Sequence, residues 1–103
     1  MLQRSRKQKG SRLEKWVMDF FNRLPGWTAR KQPGSGIFMD FPHDVYAEHE
    51  VYGRLIIECK SWKTGWRTGD KAMGKADLLF IKRDYGPPMV YMSAETLAQL
   101  FSQ

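Results

Sequence analysis

The sequence has little of several features that define common protein classes. It has one cysteine, Cys59, among 103 residues, which excludes an internal disulfide and a zinc site built from several cysteines. It has only two histidines, too few to make a zinc site on their own. No apolar run approaches the roughly 18 residues of a membrane span, and no signal-peptide pattern follows the basic N-terminus. We therefore expect a cytoplasmic protein without a membrane partner.

Negative charge is also in short supply. Seventeen Lys and Arg residues face 11 Asp and Glu residues, which leaves a net charge of +6 and a pI near 9.7. The hydrophobic fraction of 42% and the aromatic fraction of 14% suffice for one compact core, which argues against disorder and against a second domain. The charge favours a polyanionic partner, although basic composition alone does not name one.

The chain divides at residue 10 into a basic N-terminal segment and a patterned region. Residues 1–10 are predicted to be a flexible basic arm, and residues 11–103 a single domain. Ser11 can cap a first helix, Glu14 completes a capping box three residues later, and Pro25-Gly26 ends the helix. Apolar residues recur between these signals at the spacing of one helical face: Leu13, Trp16, Val17, Phe20, Phe21 and Leu24.

The rest of the chain alternates short apolar runs with turn signals. Strands are predicted over Trp27 to Gln32, from Asp44 to Ala47, from Leu55 into Glu58-Cys59-Lys60, over Ala76 to Lys82 and over Met89 to Met92. The strand beginning at Leu55 is expected to be central and buried on both faces. Residues 76–83 also allow a helix, and one or two helical turns are predicted around Asp70 to Lys75. Ser93 can cap a last helix. This order predicts an α/β fold with a central mixed β-sheet flanked by helices.

Three charged residues form the most informative group in the sequence. Side chains two apart on a strand share a face, so Glu58 and Lys60 can converge. If Asp44 starts the neighbouring strand of a hairpin, its carboxylate comes beside Glu58. Two carboxylates next to an ammonium form the outline of a Mg²⁺ site that generates a hydroxide nucleophile and neutralises a phosphodiester.

These residues also resemble a known family. Asp44, followed by Ile57-Glu58-Cys59-Lys60 at the end of an apolar strand, resembles the metal site of the PD-(D/E)xK nuclease superfamily. Within it, Lys9-Gly10-Ser11 before the helix with Glu14, then Arg30 and the Gly34-Ser35 loop, is similar to archaeal-type and phage Holliday junction resolvases. The segment from Leu78 to Leu97 resembles the terminal hairpin and helix of small phage-encoded members.

The resemblance implies a restriction-endonuclease-like fold and a role for each matched residue. The metal ligands would be Asp44, Glu58 and the main-chain carbonyl of Cys59, with Lys60 as the catalytic lysine. Glu14 would be an accessory catalytic acid, and Arg30 and Ser35 would contact DNA phosphate or the active site. Mg²⁺ would be the cofactor, with Mn²⁺ as a substitute. A phage-encoded member would act in the host cytoplasm. In the family motif, the first metal-binding acid directly follows a proline. Here His43 separates Asp44 from Pro42, so Asp40 competes with Asp44 as the first ligand.

Several of these residues also have ordinary structural interpretations. Glu14 is explained by the capping box, and Glu58 with Lys60 is explained as an exposed ion pair at a strand end. Cys59 should lie on the opposite face from its two neighbours and pack as a small apolar residue. Further contacts to nucleic acid are expected from basic residues in the arm, beside Arg30, and between Trp62 and Trp66, where aromatic and cationic groups alternate. These residues are Arg6, Lys7, Lys9, Lys31, Lys63 and Arg67.

The sequence thus predicts a metal-dependent endodeoxyribonuclease that cleaves branched DNA, like a Holliday junction resolvase. Two symmetric nicks in a junction need two active sites, so a homodimer is expected. Two alternatives stay open: a less selective nuclease or nickase of the same superfamily acting on double-stranded DNA, and a non-catalytic DNA-binding module. An adaptor that binds proteins leaves the grouping of Asp44, Glu58 and Lys60 unexplained.

Overall fold

The computed structural model describes residues 2–31, 45–62 and 72–102, with side chains in the first range from Arg12 onward. The strands are β1 (Trp27–Lys31), β2 (Val45–His49), β3 (Gly53–Trp62), β4 (Leu78–Arg83) and β5 (Met89–Met92). The helices are α1 (Leu2–Asn22) and α2 (Ala94–Phe101). Asp40, Asp44, Ser35, Lys63 and Arg67 lie outside the described residues, as do residues 70 and 71 of the helical turns predicted at 70–75, whereas residues 72–73 are helical and residues 74–75 form a turn.

The five strands form one mixed sheet in the order β1-β2-β3-β4-β5. Neighbouring strands run antiparallel except for β3 and β4, which are parallel and pair from Ile57↔Leu78 to Trp62↔Arg83. The crossover between these two strands spans residues 63–77. The predicted α/β class with a mixed sheet is confirmed.

Helix α1 covers one side of the sheet, which we call the helix face. Alternate residues of the central strands point to this side and form one buried cluster with Leu13, Val17 and Phe21 of α1. The strand residues in the cluster are Ala29, Val45, Ala47, Leu55, Ile57, Cys59, Leu78 and Phe80. The predicted apolar face of α1 is therefore the face that builds the core.

Helix α1 begins much earlier than the sequence predicts. It begins at Leu2, so residues 2–10, predicted as a flexible arm, are helical, and Ser11 lies inside the helix. The predicted Ser11 cap and its capping box with Glu14 are wrong. Leu, Gln, Arg and Lys favour helix interiors, and extending an existing helix is far easier than starting one, so Gly10 is tolerated at a cost of about 1 kcal/mol.

The end of α1 and the turn into β1 agree with the prediction. Gly26 has a φ of +82°, and a β-carbon there would lie 2.5 Å from Nε2 of His49, so both conformation and space require glycine. Asn22 then bonds the backbone of edge strand β1 in both directions. Its Oδ1 accepts from the Ala29 amide at 2.9 Å, and its Nδ2 donates to the Ala29 carbonyl at 3.3 Å.

Strand β3 is not buried on both faces as predicted. Leu55, Ile57 and Cys59 are buried on the helix face, whereas Ile56 and Glu58 are half-buried and Lys60 is exposed. The strand continues through Glu58-Cys59-Lys60 to Trp62. A run of three apolar residues is too short to show whether both faces are covered, since that depends on what packs against the sheet.

The strand buried on both faces is β4. Leu78 and Phe80 lie on the helix face and Leu79 and Ile81 on the other, and each is at most 5% exposed. Residues 78–83 are therefore strand and not helix, which settles the alternative left open by the sequence. The β4–β5 hairpin and the Ser93 cap are confirmed, since the Thr96 amide donates to Oγ of Ser93 at 3.1 Å. Within the described residues, no helix is long and apolar enough to cross a membrane.

Candidate metal and nucleic-acid site

Glu58 and Lys60 share one side of β3, as predicted. The register pairs Glu58 with Leu79 and Lys60 with Ile81, so all four residues lie on the side of the sheet away from α1. We call this side the second face. Leu79 and Ile81 are 0% and 1% exposed. Glu58, which is half-buried, and Lys60, which is exposed, therefore have fully buried apolar residues of β4 as their cross-strand neighbours.

Glu58 is the first residue of β3 beyond the described ladder with β2. That ladder ends at Val45↔Ile57, and from Glu58 to Trp62 the described partner of β3 is β4. Asp44 directly precedes Val45 in the sequence. In the sequence, the first predicted ligand is therefore adjacent to a member of the last described pair, Val45↔Ile57, and Ile57 immediately precedes Glu58.

The described residues contain only part of the predicted metal site. No group of three or more His, Cys, Asp and Glu side chains suitable for a metal ion occurs within them. Glu58 and Cys59 are described, but Asp44 and its competitor Asp40 are not. The Cys59 side chain is buried in the core on the helix face, which confirms its predicted packing role. The assignment of its main-chain carbonyl as a ligand stays a prediction.

Glu14 approaches the same end of the sheet from the helix face. Its Oε1 lies 3.2 Å from Nζ of Lys31, with 15% of the Glu14 side chain exposed and 52% of the Lys31 side chain exposed. Lys31 is in the row of the sheet that contains Val45 and Ile57, one residue before Glu58. The structure brings Glu14 and Lys31 together, whereas Glu58 and Lys60 lie on the second face.

The predicted contacts to nucleic acid fall into three groups. Arg30 is exposed, and the register puts it opposite Tyr46 on the second face. Lys31 is occupied by Glu14. Arg6, Lys7 and Lys9 belong to the first turns of α1, where only the backbone is described, and Ser35, Lys63 and Arg67 lie outside the described residues.

The sequence did not predict two polar features of the structure. The first is a cavity of about 270 Å³ with the basic side chains Arg12, Lys82 and Arg83 in its lining. The second is Asp77, whose Oδ2 accepts from the Ile56 amide at 2.8 Å while its own amide donates to the Ile56 carbonyl at 2.8 Å. The adjacent cations Lys82 and Arg83 at a strand end could have indicated the cavity. Arg12 and Ser61, which also line it, are distant from them in sequence.

The chain was compared with protein-family models, with curated proteins and with solved structures. No family model, no curated protein and no solved structure matches it.

Proposed function

We propose that this protein is a Mg²⁺-dependent endonuclease that hydrolyses phosphodiester bonds in branched DNA, on a restriction-endonuclease-like fold. One observation carries the proposal. Glu58 and Lys60 share the second face where β3 passes beyond its last described pairing with β2, and Asp44 is one peptide bond from that last pair. The resemblance to PD-(D/E)xK nucleases gives these same residues the metal-binding and catalytic roles.

The donor atoms of this group suit magnesium. Two carboxylates, from Asp44 and Glu58, and the Cys59 carbonyl are hard oxygen ligands, and Mg²⁺ favours one or two carboxylates together with water and phosphate oxygens. A bound Mg²⁺ would lower the pKa of a water molecule and neutralise charge on the phosphate. Mn²⁺, with a similar preference for oxygen ligands, should substitute.

In this proposal Lys60 orients the attacking water or stabilises the transition state. Its ammonium donates hydrogen bonds to the attacking water or to a phosphate oxygen whose negative charge grows in the transition state. The water gives up a proton to solvent as its oxygen forms a bond to phosphorus, one ester P–O bond breaks, and the leaving sugar oxygen takes a proton from solvent, so that one water is added in total. The resemblance also makes Glu14 an accessory acid, but its ion pair with Lys31 lies on the helix face, on the opposite side of the sheet from Glu58.

The test is cleavage of a labelled synthetic four-way junction with Mg²⁺ and with EDTA. We expect Asp44→Asn and Glu58→Gln to lower the cleavage rate at least about 100-fold because each removes an anionic oxygen ligand. Lys60→Ala should lower it similarly through lost transition-state stabilisation. Asp40→Asn separates the two candidates for the first ligand. Full cleavage by both Asp variants, or by Glu58→Gln, would overturn the metal site.

Glu48→Gln is the matched control for Glu58→Gln. Glu48 is an exposed carboxylate on the second face, on β2, and is paired with Arg54 at 4.0 Å. The substitution is chemically the same but lies at the other end of the ladder, so cleavage should stay within about twofold. Circular dichroism and thermal unfolding of every variant separate lost chemistry from lost folding.

Two further measurements distinguish the alternatives. A less selective nuclease or nickase would cleave a linear duplex as fast as a junction in direct competition, whereas the proposal predicts a preference for the junction. A non-catalytic DNA-binding module would bind both with and without metal and cleave neither.

We also propose a homodimer, because two nicks in a junction need two active sites. The C-terminal surface supports self-association of a chain with net charge +6, since Glu95 is the only charged residue between Met89 and Ser102. Leu97 and Phe101 of α2 are 44% and 81% exposed there. Light scattering during gel filtration should give twice the chain mass, and a monomer at micromolar concentration would contradict this part of the proposal.

A further inference from the structure

A basic cavity lies at the end of the sheet where β3 and β4 extend beyond β2. Its volume is about 270 Å³, and it lies between α1, the ends of β3 and β4, and the turn that follows β4. We call it the basic pocket. Its lining residues are Arg12, Leu13, Trp16, Ser61, Lys82, Arg83, Asp84 and Pro88. Three of these side chains are cationic and one is acidic, so the lining is positive.

The tertiary structure assembles this pocket from three separate parts of the chain. Ser61 and Lys82 are partners in the parallel ladder of β3 and β4, and both lie on the helix face. Arg12 and Trp16 are one helical turn apart on α1 and therefore on the same side of that helix. Trp16 stacks on Phe20 with ring centroids 5.2 Å apart, which fixes the indole at the wall of the pocket.

Two of the three cationic groups of the pocket, those of Lys82 and Arg83, are constrained by the fold. Nζ of Lys82 donates to the main-chain carbonyls of Arg83 at 2.6 Å and Asp84 at 3.4 Å. These two bonds use two of the three hydrogens of the ammonium. Nη2 of Arg83 is shielded from solvent. Charged donors that are already positioned lose little freedom when an anion binds, which increases affinity for a phosphate.

We propose that the basic pocket binds a backbone phosphate of DNA other than the one that is cleaved. The charge does not stop at the pocket, because α1 continues for three turns before Arg12 and its sequence there includes Arg6, Lys7 and Lys9. A pocket on a helix whose preceding turns are basic in sequence fits a polyanionic strand better than a single free phosphate. The Trp16 ring provides an apolar wall for the sugar or base next to the phosphate.

The pocket is next to the proposed cleavage site but on the other face. Lys60 and Ser61 are consecutive residues of β3 whose side chains point to opposite faces, so the second face carries Lys60 and the helix face carries the pocket. A DNA molecule that contacts both must pass around this end of the sheet. The position of the bound phosphate relative to the cleaved bond rests on the proposed function, whereas phosphate binding by the pocket does not.

The test measures binding without cleavage, by fluorescence anisotropy of labelled duplex and junction DNA in EDTA. Arg12→Gln removes an exposed cation of the pocket and should raise Kd about five- to tenfold. The slope of log K against log salt should fall by about 0.9, as expected for one lost phosphate contact on duplex DNA. Lys82→Gln should act in the same direction, but it also removes the bonds to two carbonyls, so it is interpreted only with its unfolding curve.

Arg23→Gln is the matched control for Arg12→Gln. Arg23 is also exposed, follows directly after α1, and lies at the end of the helix away from the pocket. We expect its Kd and salt slope to match wild type, apart from the general effect of one charge. If Arg12→Gln and Arg23→Gln change binding equally, the basic pocket is not a phosphate site and the proposal is overturned.

Neutral backbone substitutions give a second, independent readout. Replacing DNA phosphates one at a time by methylphosphonate should identify one position where neutralisation weakens wild-type binding but not binding by Arg12→Gln. Absence of such a position would contradict the pocket. A wild-type protein that passes this test but cleaves no DNA would overturn the proposed nuclease and leave the pocket standing. If the wild-type protein shows no such phosphate position but cleaves DNA, and Glu58→Gln abolishes that cleavage, the pocket is overturned and the proposed nuclease stands.

Discussion

The two faces of the sheet are built from the same strands but differ in what they can do. On the helix face, every described strand from β1 to β4 contributes a buried apolar residue to one cluster under α1. On the second face, β1, β2 and β3 present charged side chains such as Arg30, Glu48 and Lys60, and the fully buried residues are those of β4. Because side chains alternate along a strand, β3 contributes to stability at odd positions and to chemistry at even positions.

Ile56 and Ile57 provide the most direct test of this difference. Ile57 is fully buried on the helix face, whereas its neighbour Ile56 is half-buried on the second face. We expect Ile57→Ala to lower the free energy of unfolding by about 4 kcal/mol and Ile56→Ala by about 1–2 kcal/mol. Urea unfolding measures both. Equal losses would mean that the two faces are equally important to stability at β3.

At strand β4, substitutions on the two faces of the sheet should lower the free energy of unfolding by similar amounts. Leu78 on the helix face and Leu79 on the second face are 2% and 0% exposed. Each Leu→Ala substitution should cost about 3 kcal/mol, and the two costs should agree within about 1 kcal/mol. A much smaller loss for Leu79→Ala in urea unfolding would show that the second face is loosely packed even beside β4.

Asp77 should matter to the parallel pairing of β3 and β4. It bonds the backbone of Ile56 through both its carboxylate and its amide. Asp77→Ala removes the carboxylate and leaves the Ile56 amide without that acceptor, so we expect a loss of about 2 kcal/mol in unfolding free energy. Asp19→Ala, at an exposed carboxylate paired with Lys15 at 3.1 Å, is the control and should cost less than about 0.5 kcal/mol. A similar loss in both variants would contradict this role.

The smallest expected effect on stability is at the ion pair between Glu14 and Lys31. Half of the Lys31 side chain is exposed, so Lys31→Gln should change the unfolding free energy by less than about 1 kcal/mol. If Glu14 is an accessory acid, Glu14→Gln should slow junction cleavage more than Lys31→Gln does. Equal rates in the two variants would leave the ion pair as a sufficient explanation of Glu14.

Local signals predicted the elements that local interactions decide. The Pro25-Gly26 turn, the hairpin between β4 and β5, and the Ser93 cap depend on a few adjacent residues, and all three are present. The predicted start of α1 was wrong. Ser11 and Glu14 satisfy the sequence rule for a helix cap, but that rule takes no account of the preceding residues, which also favour helix. The choice between start sites depends on the whole segment.

The candidate site divides in the same way. That Glu58 and Lys60 share a face follows from the period of two in any strand, so it was predictable from their spacing. The ion pair of Glu14 with Lys31 was not, since it depends on how α1 crosses the end of β1. The basic pocket was missed for the same reason, because Arg12, Ser61 and Lys82 are each at least 21 residues apart in the chain.

The sequence by itself determined the α/β class, the approximate positions of every strand except β4, the placement of Glu58 and Lys60 on one face, and the excess of positive charge. These properties depend on composition and on short-range periodicity, which any fold of this chain retains. Only the tertiary structure decided which strand is buried on both faces, where α1 begins, and which cations meet in one pocket. These properties depend on contacts between segments that are distant in sequence. Whether such contacts form is decided by the free energy of the whole core and not by any local pattern.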